Sequence, residues 1–145
     1  APSLTVTWVG GIVTTVQLGN ITSEQVTSGN VTRREQRDVG ATANFAFRPP
    51  RSLVRLPNDI RSTLSYNRSS TDICLVRAET VECAPVSNTR RSALDIRMDT
   101  GFSSQLRAGL SFNYVVTEQR HLSSELAQVI FTVFAEIFFV SGQIR

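Results

Sequence analysis

The stretch LRAGLSFNYVVT, residues 106–117, alternates apolar with small or polar side chains along most of its length. The apolar parity comprises Leu106, Ala108, Leu110, Phe112, Tyr114 and Val116, and the other comprises Arg107, Gly109, Ser111, Asn113 and Val115. Because successive side chains of a β-strand point to opposite faces, this pattern predicts a strand with one apolar face. Its alternation over about eleven residues matches the ~9–11 residues of a tilted membrane-spanning strand and exceeds the five or six of a typical globular strand.

Period two recurs in residues 39–47, 60–67 and 93–99. In residues 4–18, Leu4, Val6, Trp8, Ile12, Val16 and Leu18 share the even positions on both sides of Gly10-Gly11. This favours a bulge inside one long strand over a two-residue hairpin turn that would split it. Residues 126–140 carry apolar side chains on every odd position from Val129. A helix is the competing interpretation there, but the many β-branched and aromatic residues and the missing cap favour a strand.

Polar or proline-rich segments separate these strands. Residues 19–32, 68–88 and 117–124 are predicted to be polar loops, residues 99–101 a short turn, and residues 49–59, with three prolines, a connection outside the sheet. The predicted fold is therefore all-β, an antiparallel up-and-down meander of about six long strands forming one domain, 1–145. Six strands fall short of the roughly eight of the smallest single-chain membrane barrels. We therefore expect a segment of a larger transmembrane β-barrel, completed by a longer parent chain or by other subunits.

Two sets of residues are predicted to face the two sides of the barrel wall. The lipid-facing set is Leu106, Leu110, Phe112, Tyr114, Val129, Phe131, Val133, Ile137 and Phe139. The lumen-facing charged set is Asp95, Arg97, Asp99 and Arg107. The charged set is interpreted either as a ladder lining a pore or as ordinary cross-strand ion pairing on an inward face. Trp8, Tyr66 and Tyr114 fall near predicted strand ends, where membrane barrels carry aromatic girdles.

Cys74 and Cys83 lie close together in the polar segment 68–88. In an oxidising compartment such as a periplasm or cell exterior, this pair is predicted to form a disulfide. Closing so short a loop would stabilise the fold by roughly 2–3 kcal/mol in the chain-entropy model.

Composition and motifs disfavour several other functions. All 15 basic residues are arginine and the net charge is +3, but the arginines are spread along the chain, which disfavours nucleic-acid binding. No run approaches the ~18 apolar residues of a transmembrane helix. Two cysteines and the single histidine, His121, are too scattered for a metal site, and neither a catalytic constellation nor a cofactor motif is present. We therefore expect a non-enzymatic protein without a cofactor.

The chain from Arg33 onwards carries a distinctive succession of motifs. It contains Arg33-Arg34-Glu35 before the strand 39–47, then Arg48-Pro49-Pro50-Arg51-Ser52-Leu53, the strand 62–67, the strand 106–114 and a closing strand with Phe134 to Phe139. This succession resembles the C-terminal barrel region of the SprA family, the very large outer-membrane translocons of type IX secretion and gliding motility. The resemblance implies a wide barrel in the bacterial outer membrane that passes secreted protein cargo, with lipoprotein-type and plug partners at its rim. Residues 141–145 depart from the aromatic ending common in such barrels.

A soluble β-sandwich or barrel, acting as a binding or shell-forming module, is the alternative. In that fold the same apolar faces would form a core between two sheets. The mean hydropathy of −0.05 is compatible with both folds. The two folds differ in whether other parts of the protein cover the apolar side chains.

Overall fold

A computed structural model describes residues 1–27, 30–50, 57–76 and 83–139. Within them lie seven β-strands and one turn of 3-10 helix, Arg120–Leu122. The strands are β1 (Ser3–Thr7), β2 (Val13–Thr27), β3 (Asn30–Phe47), β4 (Ile60–Val76), β5 (Cys83–Gly101), β6 (Leu106–Gln119) and β7 (Ser124–Ile137). Each strand pairs antiparallel with the next along the chain, so they form one up-and-down sheet that curls into a half-barrel. The predicted antiparallel meander is confirmed.

The structure has seven strands rather than about six, because Gly10 and Gly11 form a hairpin turn and not a bulge. Their φ angles are +99° and +82°, which glycine adopts without steric cost. The Trp8 N–H donates to the carbonyl of Ile12 at 2.8 Å and closes the turn. Trp8 and Ile12 both occupy even positions. The apolar parity therefore continues through the turn, and the pattern alone could not distinguish a hairpin from a bulge.

The polar segments 19–32 and 68–88 were wrongly predicted as loops, apart from residues 28–29 and 77–82, which lie outside the described chain. β2 and β3 stay paired from Gly19 with Asp38 up to Thr27 with Asn30, and β4 and β5 continue to Val76 and Cys83. Sheet hydrogen bonds join backbone groups, so a ribbon in water can be polar on both faces and still pair along its length. We call these extensions the upper hairpins, residues 19–27 with 30–38 and 69–76 with 83–91.

At the opposite, lower end, residues 99–101 belong to β5 and do not form the predicted turn. The connection to β6 is residues 102–105. The N–H of Phe102 donates to the carbonyl of Leu106 at 2.9 Å, and the hydroxyl of Ser103 accepts the N–H of Leu106 at 3.0 Å. The Ser103 hydroxyl thus satisfies the N–H of Leu106 within the turn. The pairing of β5 with β6 can therefore continue through Asp99, Thr100 and Gly101, where the sequence predicted a turn.

The remaining connections agree more closely with the sequence. Residues 48–50 and 57–59 lie outside the strands, as expected from their prolines, while residues 51–56 are outside the described chain. The connection predicted at residues 117–124 is shorter in the structure. It consists of the 3-10 turn and Ser123, whose φ is +49°. Residues 124–137 form β7, so the strand interpretation of this segment is confirmed and the helix interpretation is wrong. The ending, residues 141–145, is not described.

No hydrophobic core exists in the described residues. Ser62 is their one buried residue, and every large apolar side chain among them keeps some solvent exposure. A single sheet accounts for all the strands of the described chain, so no second layer covers either face there. The apolar residues of this sheet are therefore not packed in the way that the soluble sandwich requires.

The two cysteines lie near the end of the upper hairpin formed by β4 and β5. Their Cα atoms are 5.4 Å apart, within the range of a disulfide, and the sulfur atoms are bonded. The pairing register shifts between Ile73 and Cys74, where β5 gains one extra residue at Val86. Pro85 lies in this bulge, where its missing N–H costs least.

We predict that alkylation of the unreduced chain leaves its mass unchanged, because both thiols are engaged in the Cys74–Cys83 bond. Mass spectrometry under denaturing conditions should show both cysteines alkylated only after reduction. Reduction should also lower the free energy of unfolding by roughly 2–3 kcal/mol. The variant Cys74→Ser/Cys83→Ser is the control, since its unfolding should not respond to reductant. Uptake of alkyl groups by the unreduced chain would contradict the disulfide.

Candidate functional site

The register between strands brings the apolar parity of every strand to one side of the sheet, which we call the apolar face. Leu110, for example, lies between Met98 on β5 and Val133 on β7. Three complete cross-strand rows are Ala41-Tyr66-Leu94-Tyr114-Val129, Ala43-Leu64-Ile96-Phe112-Phe131 and Phe45-Ser62-Met98-Leu110-Val133. β1 and β2 extend the same face with Leu4 opposite Val16. One apolar surface thus crosses all seven strands.

This apolar face is open to its surroundings. Leu64 is 39% exposed and Leu110 36%, although both lie in strands paired on two sides, and Val133 on the edge strand β7 is 70% exposed. The face carries eight of the residues predicted to face lipid: Leu106, Leu110, Phe112, Tyr114, Val129, Phe131, Val133 and Ile137. Phe139 lies beyond the end of β7, with 89% of its surface exposed. Soluble proteins scatter single apolar residues over their surfaces and rarely leave a continuous apolar surface uncovered.

The height of the apolar face can be read from β6. Its apolar side chains run from Leu106 to Val116, ten residue steps along the strand. At about 3.3 Å per residue, and at the tilt of about 40° typical of barrel strands, these steps cover ~25 Å along the barrel axis. This equals the apolar band of about 25 Å on membrane barrels.

Aromatic side chains mark both borders of the apolar face. Tyr66 and Tyr114 share one cross-strand row near its upper border and are 39% and 38% exposed. Trp8 and Phe47 lie at the lower end, next to the first turn and at the end of β3. The Trp8 indole N–H donates to the hydroxyl of Thr14 at 3.1 Å. Amphipathic rings of this kind are enriched at the two interfaces of a bilayer.

The opposite side of the sheet, which we call the polar face, carries all four residues of the predicted charged set. Arg107 forms an ion pair with Asp99, with its Nε 3.0 Å from the carboxylate. The Asn113 amide donates to Asp95 at 3.4 Å. Arg97 is not in salt-bridge contact with a carboxylate among the described residues. The set is thus one ion pair, one hydrogen-bonded carboxylate and one arginine with a different partner.

That partner is Phe134 on β7, which sequence analysis did not include in the site. The guanidinium carbon of Arg97 lies 5.2 Å from the centre of the Phe134 ring, within the range of a cation–π contact. Gly109 lies directly opposite Phe134 and leaves room for the ring to lie against the backbone. A glycine paired with an aromatic residue is a recognised way to stabilise a sheet. The sequence does show an aromatic residue, Phe134, among the polar side chains of its face. Its contact with Arg97 could be found only once the pairing register was known.

Other candidate features are weak. A depression of about 460 Å³ lies over the small residues Gly19 and Gly40, with Asp38 and Asn67 at its wall. In the described ranges no three His, Cys, Asp or Glu side chains are placed to hold a metal ion. His121 is exposed in the 3-10 turn. The described chain contains no helix with the length and hydrophobicity needed to cross a membrane.

Comparison with protein-family models, with curated proteins and with solved structures finds no match to this chain. Its function is therefore inferred from the geometry of the two faces.

We predict that Gly109→Ala destabilises the sheet by about 1–3 kcal/mol, the usual cost of overpacking. An added Cβ would overlap the backbone carbonyl of Met98 and lie 2.6 Å from Phe134 Cζ. Gly40→Ala is the matched control, because its Cβ would meet only the movable amide oxygen of Asn67 closer than 3 Å, at 2.8 Å. Denaturant titration of the folded protein measures both. Equal costs for the two variants would contradict the tight Gly109–Phe134 contact.

Proposed function

We propose that the chain is a segment of an outer-membrane β-barrel, with its apolar face in lipid and its polar face towards the lumen. One observation carries this proposal: an uncovered apolar face crosses seven paired strands and is about as tall as a bilayer core. In water such a face would expose many large side chains, each of which favours an apolar environment by about 1.5–3 kcal/mol when fully buried. Contact with lipid supplies that apolar environment without a second protein layer.

The shape of the connections supports an orientation across the membrane. The turns at residues 9–11 and 102–105 are short, whereas the upper hairpins extend well beyond the apolar face. Bacterial barrels have short periplasmic turns and longer outer segments. The upper hairpins therefore lie outside the cell in this proposal, in a compartment that permits the Cys74–Cys83 disulfide. The proline-rich connection 48–59 is long for a periplasmic turn.

A lumen-facing role for the polar face agrees with its side chains. Asp95, Arg97, Asp99 and Arg107 share this face with serine, threonine and asparagine residues, so it offers many hydrogen-bonding groups. Together with the resemblance to SprA-like translocons, this supports a non-enzymatic wall segment of a protein-translocation pore in a bacterial outer membrane. Its partners are membrane lipid, secreted protein cargo, and the further strands that close the barrel.

We predict that Leu110→Arg lowers the free energy of unfolding in phosphatidylcholine vesicles by about 2–4 kcal/mol. This is the cost of arginine on the lipid side near the bilayer midplane, and Leu110 lies near the middle of the apolar run of β6. Asn113→Arg is the control. It adds the same charge at a similar depth on the polar face, directly opposite Asp95, and should cost less than about 1 kcal/mol.

Urea titration of the closed, vesicle-inserted barrel that contains this segment measures both variants. An unaffected Leu110→Arg variant would mean that the apolar face is not in lipid. A detergent-free preparation provides a separate check, since a soluble, monodisperse and folded monomer of the wild-type chain would contradict the proposal directly. Such a result would favour the soluble module instead.

A further inference from the structure

Three arginines surround Ser70 on the same side of the sheet as the apolar face. Ser70 pairs with Arg37 on β3 and with Arg90 on β5. Arg68 lies two positions before Ser70 on β4 and therefore points to the same side. Directly paired residues in a sheet have Cβ atoms about 4.5–5.5 Å apart. The three long side chains can therefore converge over the small Ser70. We call Arg37, Arg68 and Arg90 the arginine cluster.

The arginine cluster begins in the uppermost row of the apolar face, the row of Val116. Arg68 pairs with Val39 and Ser92, in the row next to that of Tyr66 and Tyr114. The row of Ser70 is the following one and belongs to the upper hairpins. In the proposed membrane orientation the cluster is thus just above the tyrosines, at the depth of the lipid headgroups. Arginine can keep its apolar stem along the hydrocarbon there while its guanidinium reaches the phosphate layer.

Two of the three guanidinium groups are not held by a carboxylate in the described chain. Arg68 and Arg90 have no carboxylate within salt-bridge distance among the described residues, although Glu118 pairs with Arg90 across the strands. The Nε of Arg90 is shielded from solvent and has no hydrogen-bond partner within that part of the chain. A ligand from outside would therefore meet the other two guanidinium nitrogens of Arg90, which donate no hydrogen bond within the described chain.

The third arginine, Arg37, and the nearby Asp72 are already engaged, whereas Glu118 and Glu125, in the row of Ser70, form no ion pair among the described residues. Two nitrogens of Arg37 donate to the Glu35 carboxylate at 2.9 and 2.6 Å, and this hydrogen bonding raises the pKa of Arg37 above its ordinary value. The nearby Asp72 accepts a hydrogen bond from the amide of Asn88. Arg37 therefore adds positive charge beside Ser70, while Arg68 and Arg90 keep donors for a ligand.

The lower border of the apolar face has no such cluster in the described residues. Phe47 and Ile60 end the face on β3 and β4, and Leu106 and Ile137 end it on β6 and β7. Arg48, one arginine at this border, is paired with Asp59 at 2.7 Å, and Arg61, next to Ile60, lies on the polar face opposite Asp99. On the apolar side of the described sheet, the arginines without a carboxylate partner, Arg68 and Arg90, are therefore both at the upper border.

We propose that the arginine cluster binds the phosphate groups of anionic lipids in the leaflet nearest the upper hairpins. The planar fork of arginine matches phosphate oxygens in two-point hydrogen bonds, which Arg68 and Arg90 are free to make. This inference rests on the proposed membrane function and adds the chemistry of the lipid and the leaflet that holds it.

The test measures lipid preference in vesicles of phosphatidylcholine containing phosphatidylglycerol. The closed barrel that contains this chain is inserted, and electron spin resonance gives the association of spin-labelled phosphatidylglycerol relative to phosphatidylcholine. The wild-type chain should prefer phosphatidylglycerol, and Arg68→Gln/Arg90→Gln should reduce the preference by about fivefold for each arginine removed. Arg34→Gln/Arg91→Gln is the matched control: it removes the same charge from the upper hairpins, but from the polar parity, and should keep the preference.

Raising the salt concentration provides a readout that needs no variant. Between about 0.1 and 1 M salt the screening length falls from about 10 to 3 Å, so the wild-type preference should decrease. No insertion of the wild-type barrel in any vesicle would contradict the proposed function and this inference with it. Insertion without a lipid preference, or an equal loss in both double variants, would overturn the inference alone. If Arg68→Gln/Arg90→Gln kept the wild-type lipid preference, the lipid inference would also be overturned. The cluster would then be a candidate site for a polyanionic protein or polysaccharide.

Discussion

Cross-strand register is the constraint on which the rest of this structure depends. Side chains alternate between faces with a period of two, so a slip of one residue moves every side chain of a strand to the other face. Slipping β7 against β6 would set Thr132 or Phe134 beside Leu110 in place of Val133. All six pairings preserve the apolar face. The register shift between Ile73 and Cys74 lies in an upper hairpin, above the apolar face. It therefore leaves the side chains of the apolar face on one side of the sheet.

The edges of the sheet limit how it can exist. β1, with five residues, and β7, with fourteen, each pair on one side only, and their outer backbone groups have no partner in the described chain. In hydrocarbon each unsatisfied N–H or C=O costs several kcal/mol, so a membrane sheet must close on itself. A curled half-barrel of seven strands therefore requires further strands wherever its apolar face is in lipid. In the proposed barrel, a longer parent chain or other subunits supply those strands.

The sequence predicted the faces of the sheet better than its connections. Alternation is a local property, so the face of Leu110 or Val133 could be assigned before any partner was known. Loop boundaries were wrong at residues 19–32 and 68–88, because polar composition was taken as a loop signal although the ladder bonds belong to the backbone. The hairpin at Gly10-Gly11 could not be recognised because the alternation continues through it. The contact of Phe134 with Gly109 and Arg97 joins three strands and needs a known register.

The four charges of the set on the polar face sum to zero, and in the proposed barrel this bears on what the wall can pass. Arg107 is paired with Asp99, Asp95 accepts from Asn113, and Arg97 lies over the Phe134 ring. A pore selective for one kind of ion presents rings of like charge. Two aspartates and two arginines on neighbouring rows create little net field, so this part of the proposed wall neither attracts nor excludes a passing chain by the sign of its charge. That property suits a conduit for polypeptides of varied composition, and it follows from side chains that also hold neighbouring strands together.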